Sequence, residues 1–181
     1  MSEQGRVAKV LAALLVSMTL GAIVLMLLGN NPPSAGAFSL SSYCHLDSVE
    51  KAVLSSAQQL PQTWNSIDIY YSQTKAGNIE QLSYLNGVAD SDEINCHFVV
   101  CNGLGGKDGQ IETTQRWIRQ WPPIPGRNWY GSTRTIRICV IAEGNKSRPT
   151  DCQIRRVTAL VERLCRKFEI KAESIYSPTN W

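Results

Sequence analysis

Residues Asn95–Gln120 read NCHFVVCNGLGGKDGQIETTQRWIRQ. Alternation at the start of this stretch predicts a strand, with Cys96, Phe98 and Val100 on one face and His97 and Val99 on the other. Gly103, Gly105 and Gly106 lead to Asp108-Gly109, a dipeptide that fits a tight hairpin turn because glycine takes a positive φ without steric cost. A second strand, Gln110 to Thr113, follows. The unit then leaves through an aromatic and basic run, Arg116-Trp117-Ile118-Arg119-Gln120-Trp121.

Upstream, Asp47 to Leu60 has helical spacing at Val49, Val53, Leu54 and Leu60 and stops at Pro61. Trp64 leads into a short β-rich run, Ile67-Asp68-Ile69-Tyr70-Tyr71. Gly77-Asn78 opens a second helix with Ile79, Leu82 and Leu85 on one side. Downstream, Pro122-Pro123-Ile124-Pro125-Gly126 reads as a stiff loop, and Ile136-Arg137-Ile138-Cys139-Val140-Ile141 as a largely buried strand. Thr150 and Gln153 have the spacing of a capping box. Behind them Ile154, Val157, Val161, Leu164, Cys165 and Phe168 form one apolar helical stripe. Arg155, Arg156, Arg163, Arg166 and Lys167 flank that stripe as a solvated face. Strands alternating with helices around a buried strand predict an α/β domain, a mixed central sheet flanked by helices.

The N-terminal part is different in kind. Val10 to Leu28 holds no charged residue, and a helix of that length matches a bilayer core. Arg6 and Lys9 before it favour a cytoplasmic N-terminus. The division expected is a short cytoplasmic stretch at 1–9, a transmembrane anchor or signal at 10–28, a linker at 29–42 and the domain at 43–181. Ala35-Gly36-Ala37 fits a cleavage pattern, so the segment reads either as an anchor or as a signal cleaved after Ala37. Both place the domain outside the cytoplasm, periplasmic or extracellular.

The formal net charge of +3 is modest, and no nucleic-acid-binding signature accompanies it, so nucleic acid is not an expected partner. The six cysteines, Cys44, Cys96, Cys101, Cys139, Cys152 and Cys165, all lie in the exported part, where disulfides can form, but spacing does not give their pairing. Cys139 and Cys165, on apolar faces, read as buried free thiols. No CxxC, GxSxG or HExxH occurs, and the glycine run lacks the Lys-Ser/Thr of a phosphate loop. Asp90, Asp92 and Glu93 read as a solvated acidic loop.

The order His97-Phe98-Val99-Val100, Asn102-Gly103, Asp108-Gly109, Arg116-Trp117 resembles the core of the zinc-dependent N-acetylmuramoyl-L-alanine amidases, relatives of the peptidoglycan recognition proteins. Trp64-x-x-Ile67-x-Ile69 resembles the family's first strand and Ile136–Ile141 its central strand. Pro149-Thr150 through Leu164-Cys165 resembles its long helix, and Ala172-Glu173-Ser174-Ile175 the approach to its last ligand loop. The resemblance implies cleavage of the amide between the lactyl group of N-acetylmuramic acid and L-alanine. It also implies a zinc ion held by two histidines and a third His, Cys or Asp. Such a metal brings bound water toward neutral pKa and needs three protein donors with one position open.

At the matching positions this chain departs from the pattern. Tyr70 stands where the first ligand belongs, in Ile69-Tyr70-Tyr71-Ser72, and Pro178 where the second belongs. Cys96 replaces the family's tyrosine near the metal, and the loop Gly126-Arg127-Asn128 has no histidine. His45 reads as a surface or capping residue and His97 as a structural one.

The expectation is therefore a membrane-anchored amidase-like domain without hydrolysis and without a cofactor. It would bind peptidoglycan or a muropeptide in a groove lined by Tyr70, Tyr71, Cys96, Arg127 and Trp129, or serve as a scaffold. One alternative is an active amidase with zinc on unusual ligands. Another is an exported interaction module unrelated to peptidoglycan.

Overall fold

In the computed structural model the described residues are 17–19, 47–56, 63–85, 87, 94–126, 129–144, 146–179 and 181. The chain divides into a unit Met1–Ser39 and a unit Leu40–Trp181. Of the first, only 17–19 are described, and they are helical. Among the described residues no helix is long and apolar enough to cross a membrane. The segment expected to span one, at 10–28, otherwise lies outside them, as do Leu60, Cys44, His45, Asp90, Asp92, Glu93 and Arg127.

The second unit is α/β. Its elements run α1 (Val49–Leu54), β1 (Ser66–Tyr71), α2 (Ile79–Leu85), β2 (Phe98–Val100), β3 (Ile111–Thr113), α3 (Gln115–Ile118), β4 (Thr135–Val140), α4 (Asp151–Phe168), a 3-10 turn Ala172–Ser174 and β5 (Ile175–Tyr176). The five strands form one sheet in the order β3-β2-β4-β1-β5. β4 pairs in parallel with β1 and β2, β1 in parallel with β5, and β2 antiparallel with β3. The sheet is mixed, as expected, and β4 at its centre is buried at every position.

Register sorts the side chains. Ile67 lies beside Ile136, Ile69 beside Ile138 and Tyr71 beside Val140; between them Asp68 lies beside Arg137 and Tyr70 beside Cys139. Parallel partners share a face, so the first set builds one core and the second the other. The larger core adds Phe98, Val100, Trp117, Val53, Val157, Leu160 and Leu164. The smaller holds Cys96, Val99, Cys139, Ile141, Ile94 and Leu82, with Tyr70 and Ile79 against it.

α4 starts where its capping box predicts. Thr150 Oγ1 accepts from Gln153 N at 3.1 Å, and Gln153 Oε1 accepts from Thr150 N at 3.0 Å. The other amide end of Gln153, wholly buried, donates to Val100 O at 2.9 Å and Ile141 O at 3.1 Å. The helix ends at Glu169 in a left-handed conformation, its N–H bonded to Cys165 O.

Four local expectations are corrected. Cys96 does not share a face with Phe98: the regular ladder begins only at Phe98, and His97 is turned onto the larger core, edge-on to Trp64 at 4.8 Å and Trp117 at 6.2 Å. Cys96 therefore falls with Val99 in the smaller core. Asp108-Gly109 is not a two-residue hairpin; Gln110 N bonds to Lys107 O in a turn that closes a longer loop. The middle of that loop is pinned elsewhere, with Asn78 Nδ2 on Gly105 O at 3.0 Å and Asn102 Nδ2 on Lys75 O at 2.8 Å. Arg156 is buried, not solvated, because its guanidinium caps two carbonyls, Gly109 O and Asp47 O. Leu85, at the end of α2, is exposed.

Candidate functional site

Strands β1 and β4 run in parallel with Asp68 beside Arg137 and Tyr70 beside Cys139, and the candidate site lies on the face of the sheet that these four residues share. On the smaller-core face, β1 presents Asp68 and Tyr70 while β4 presents Arg137 and Cys139. Arg137 Nε donates to Asp68 Oδ2 at 3.1 Å and Nη1 to Asn95 O at 2.7 Å. The pair is well buried, with side-chain exposures of 5% for Arg137 and 17% for Asp68. Burial pushes the Asp68 carboxyl up, against the pull of Arg137.

Aromatic rings frame this guanidinium. Its carbon lies 4.3 Å from the Tyr70 ring centroid and 4.6 Å from that of Trp129, well inside cation–π range. Trp129 is half-buried, and its Nε1 donates to Ser132 O at 3.3 Å. Gly131 is what lets the indole sit there: a Cβ on it would come within 2.2 Å of the Trp129 ring.

Beneath Tyr70 lie two thiols. The Tyr70 hydroxyl and the Cys139 thiol each hydrogen-bond to Cys96. The bond from Cys139 is the largest influence on Cys96 and holds its thiol below the ordinary value; burial opposes, while Tyr70, Arg137 and Arg116 add to the lowering. Cys139 is raised well above its usual range, first by that bond and then by burial. Tyr70 is raised well above the phenol range, chiefly by burial, then by the neighbouring Cys139 and Cys96.

Of the residues expected to line a groove, Tyr70, Cys96 and Trp129 come together around Arg137. Tyr71 does not join them: strand alternation turns it to the other face, against the larger core, with Trp181 stacked on its ring at 6.4 Å. Arg127 lies outside the described residues. Pro178 follows β5, half-buried, its carbonyl accepting from Trp181 N at 3.1 Å. Sequence reasoning missed Asp68 and Arg137. The signal was present: Ile67-Asp68-Ile69 and Ile136-Arg137-Ile138 are two apolar runs with opposite charges at the matching place, and a buried charge needs a partner.

The residues present do not suit the zinc that the resemblance implies. A phenol held protonated at the first position and a proline at the second offer no donor. His97 is neutral and occupied. Its Nδ1 accepts from Arg137 N at 2.9 Å, which leaves Nε2–H to donate to Trp121 O at 3.0 Å. Burial drives its pKa down to about 3; the Trp121 carbonyl opposes this, and Arg116 and Arg137 reinforce it. Among the described residues no three His, Cys, Asp or Glu side chains are grouped to hold a metal.

No curated protein matches the chain. The family model described as N-acetylmuramoyl-L-alanine amidase matches residues 52–178, a span that contains all of β1 to β5 and the aromatic–arginine site on the sheet face. With most of its length so matched, the chain belongs to the N-acetylmuramoyl-L-alanine amidase family.

Proposed function

We propose that the domain binds a muropeptide, the glycan–peptide unit of peptidoglycan, over the sheet face that carries Tyr70 and Trp129 and does not hydrolyse it. The observation that carries this reading is Tyr70. At the place of a metal ligand stands a half-buried phenol, held protonated, beside Cys96 and against the Arg137 guanidinium. Trp129 supplies a flat apolar face of the kind on which sugar rings stack, and the buried Arg137 guanidinium, paired with Asp68, packs against that ring. The surface in this reading is Tyr70 and Trp129, over the buried Cys96 and Arg137, with Arg127 as a further candidate. We place the domain outside the cytoplasm, tethered by a helix over 10–28.

The test has two arms. Metal analysis of the purified protein is expected to find zinc far below one per chain, and incubation with peptidoglycan to release no stem peptide. Stoichiometric zinc together with release of stem peptides that carry a free L-alanine amino terminus overturns the reading in favour of an active amidase. Sedimentation with purified peptidoglycan is expected to retain the protein, with Trp129→Ala weakening retention about tenfold, the equivalent of about 1.4 kcal/mol. No retention of the wild type leaves an interaction module unrelated to peptidoglycan.

A further inference from the structure

The loops that leave the carboxyl ends of β1, β2 and β4 build a second surface, at the edge of the sheet and not on its Tyr70–Trp129 face. Bonds and close approaches join the three loops. Asn102 Nδ2 donates to Lys75 O at 2.8 Å and Asn78 Nδ2 to Gly105 O at 3.0 Å, and a Cβ on Gly105 would come within 2.7 Å of the Gly77 carbonyl oxygen. Gln73 N donates to Ala142 O at 3.0 Å, and a Cβ on Gly144 would come within 3.0 Å of the Tyr71 ring. The β2 loop is also held to the start of α4, where Thr150 Oγ1 donates to Asp108 Oδ1 at 2.6 Å.

This platform shows cations and apolar surface to solvent. Lys75, Lys107, Lys146 and Arg148 are exposed, and among the described residues none of the four pairs with a carboxylate. The acids on the same loops, Asp108 and Glu143, are half-buried, and Asp108 is taken by Thr150. Leu104, in the β2 loop, is 61% exposed. Gln81 lies against the neighbouring Gly105, and past it the exposed Tyr84 and Leu85 continue the apolar surface. The chain also enters the domain here. Arg156 Nε donates to Gly109 O at 3.1 Å and its Nη2 to Asp47 O at 2.6 Å, so one guanidinium joins the end of the β2 loop to the first described residue of the domain. A tether over 10–28 leads into the domain at this edge.

We propose that the Leu104 platform docks on an anionic phospholipid bilayer, with Leu104 entering the interface and Lys75, Lys107, Lys146 and Arg148 meeting headgroup phosphates. In its orientation the inference rests on the tether proposed above. A lipid surface takes both chemistries at once: apolar side chains bury at the headgroup boundary, while lysines and arginines are drawn to its negative charge. A dissolved polyanion would use the cations and leave Leu104 without a role. Because the loops are already pinned to one another, contact orders little that is not ordered before it. Docked by its edge, the domain keeps the Tyr70–Trp129 face free for peptidoglycan.

The experiment uses the full chain with vesicles of phosphatidylcholine alone and of phosphatidylcholine mixed with phosphatidylglycerol. Flotation in alkaline carbonate reports the anchor, and hydrogen exchange of peptides over 101–110 reports the docking. The chain is expected to float with both vesicles. Exchange over 101–110 is expected to slow only on the anionic ones, by about fivefold or more, the attraction of a single lysine, and to recover in about 1 M salt. The double variant Lys75→Glu, Lys107→Glu and the single variant Leu104→Ser are each expected to exchange on anionic vesicles as the wild type does on neutral ones. A chain that floats yet exchanges equally on both vesicles overturns the docking and leaves the anchor standing. A chain that floats with neither overturns the anchor and, with it, the docking. Equal slowing by soluble polyphosphate without vesicles, or full slowing in Leu104→Ser, assigns the surface to a dissolved polyanion and overturns the lipid.

Discussion

Acidification should weaken this fold through one side chain, His97. It is wholly buried, bonded at both nitrogens and wedged against Trp64 and Trp117. Protonating it would cost the bond from Arg137 N and place a charge beside Arg116 and Arg137. Its folded pKa of about 3 lies below the ordinary 6.5. Between those values the unfolded chain carries a proton that the folded chain does not, so stability rises with pH across the window and is lost as pH falls. At about 1.4 kcal/mol per pH unit, the gap from 6.5 to about 3 caps the contribution at about 5 kcal/mol. Between about pH 7 and about pH 5 the same linkage removes about 2 kcal/mol. Asp68, whose carboxyl is raised by burial, works in the opposite sense, and comparison with a variant lacking the imidazole separates the two. The assay is urea unfolding across the window for the wild type and for His97→Asn, which cannot titrate. The variant is expected to be less stable at neutral pH and flat below it. A wild type without slope, or a variant with the same slope, refutes the argument.

Two further outcomes test the frame around the site. Gly109 has a φ of 73°, and a Cβ there would come within 2.6 Å of Cys152 Sγ, whereas Gly87 at 63° has nothing within 4 Å. Gly87→Ala should therefore cost about 1 kcal/mol for backbone conformation alone, and Gly109→Ala about 1–3 kcal/mol more for overpacking; equal losses in urea unfolding refute the contact argument. Thr150 Oγ1 both accepts from Gln153 N and donates to Asp108 Oδ1 at 2.6 Å. Thr150→Ala should lose about 1–2 kcal/mol while Thr150→Ser stays near the wild type, and a serine variant as weak as the alanine one counts against the cap.

What the sequence revealed follows from the range of the forces involved. The run Ile136–Ile141 and the Thr150–Gln153 box are legible because their causes sit within a few residues: burial on both faces in one case, two reciprocal bonds in the other. The crossover at His97 is not legible, because it depends on Trp64 and Trp117, which only the tertiary fold brings near. Arg156 looks like a surface charge on a helical wheel, since the carbonyls that receive it, of Gly109 and Asp47, are far away in sequence. Tyr70 and Tyr71 were both legible as residues at the end of β1, and alternation alone separates them. The partnership of Asp68 and Arg137 needs the parallel register of β1 and β4 before their charges can be set side by side.

Gln153 has a consequence for how the sheet acquires its alignment. One side-chain amide ties the first turn of α4 to the carbonyls of Val100 and Ile141, at the ends of two neighbouring strands. A slip of β2 against β4 by one residue would move one carbonyl by about 3.3 Å, beyond hydrogen-bonding reach, and would leave a buried amide unmet. The helix cannot complete its own start while the strands are misaligned. A residue whose local task is to begin a helix thus also reads, and rejects, the wrong pairing of the sheet.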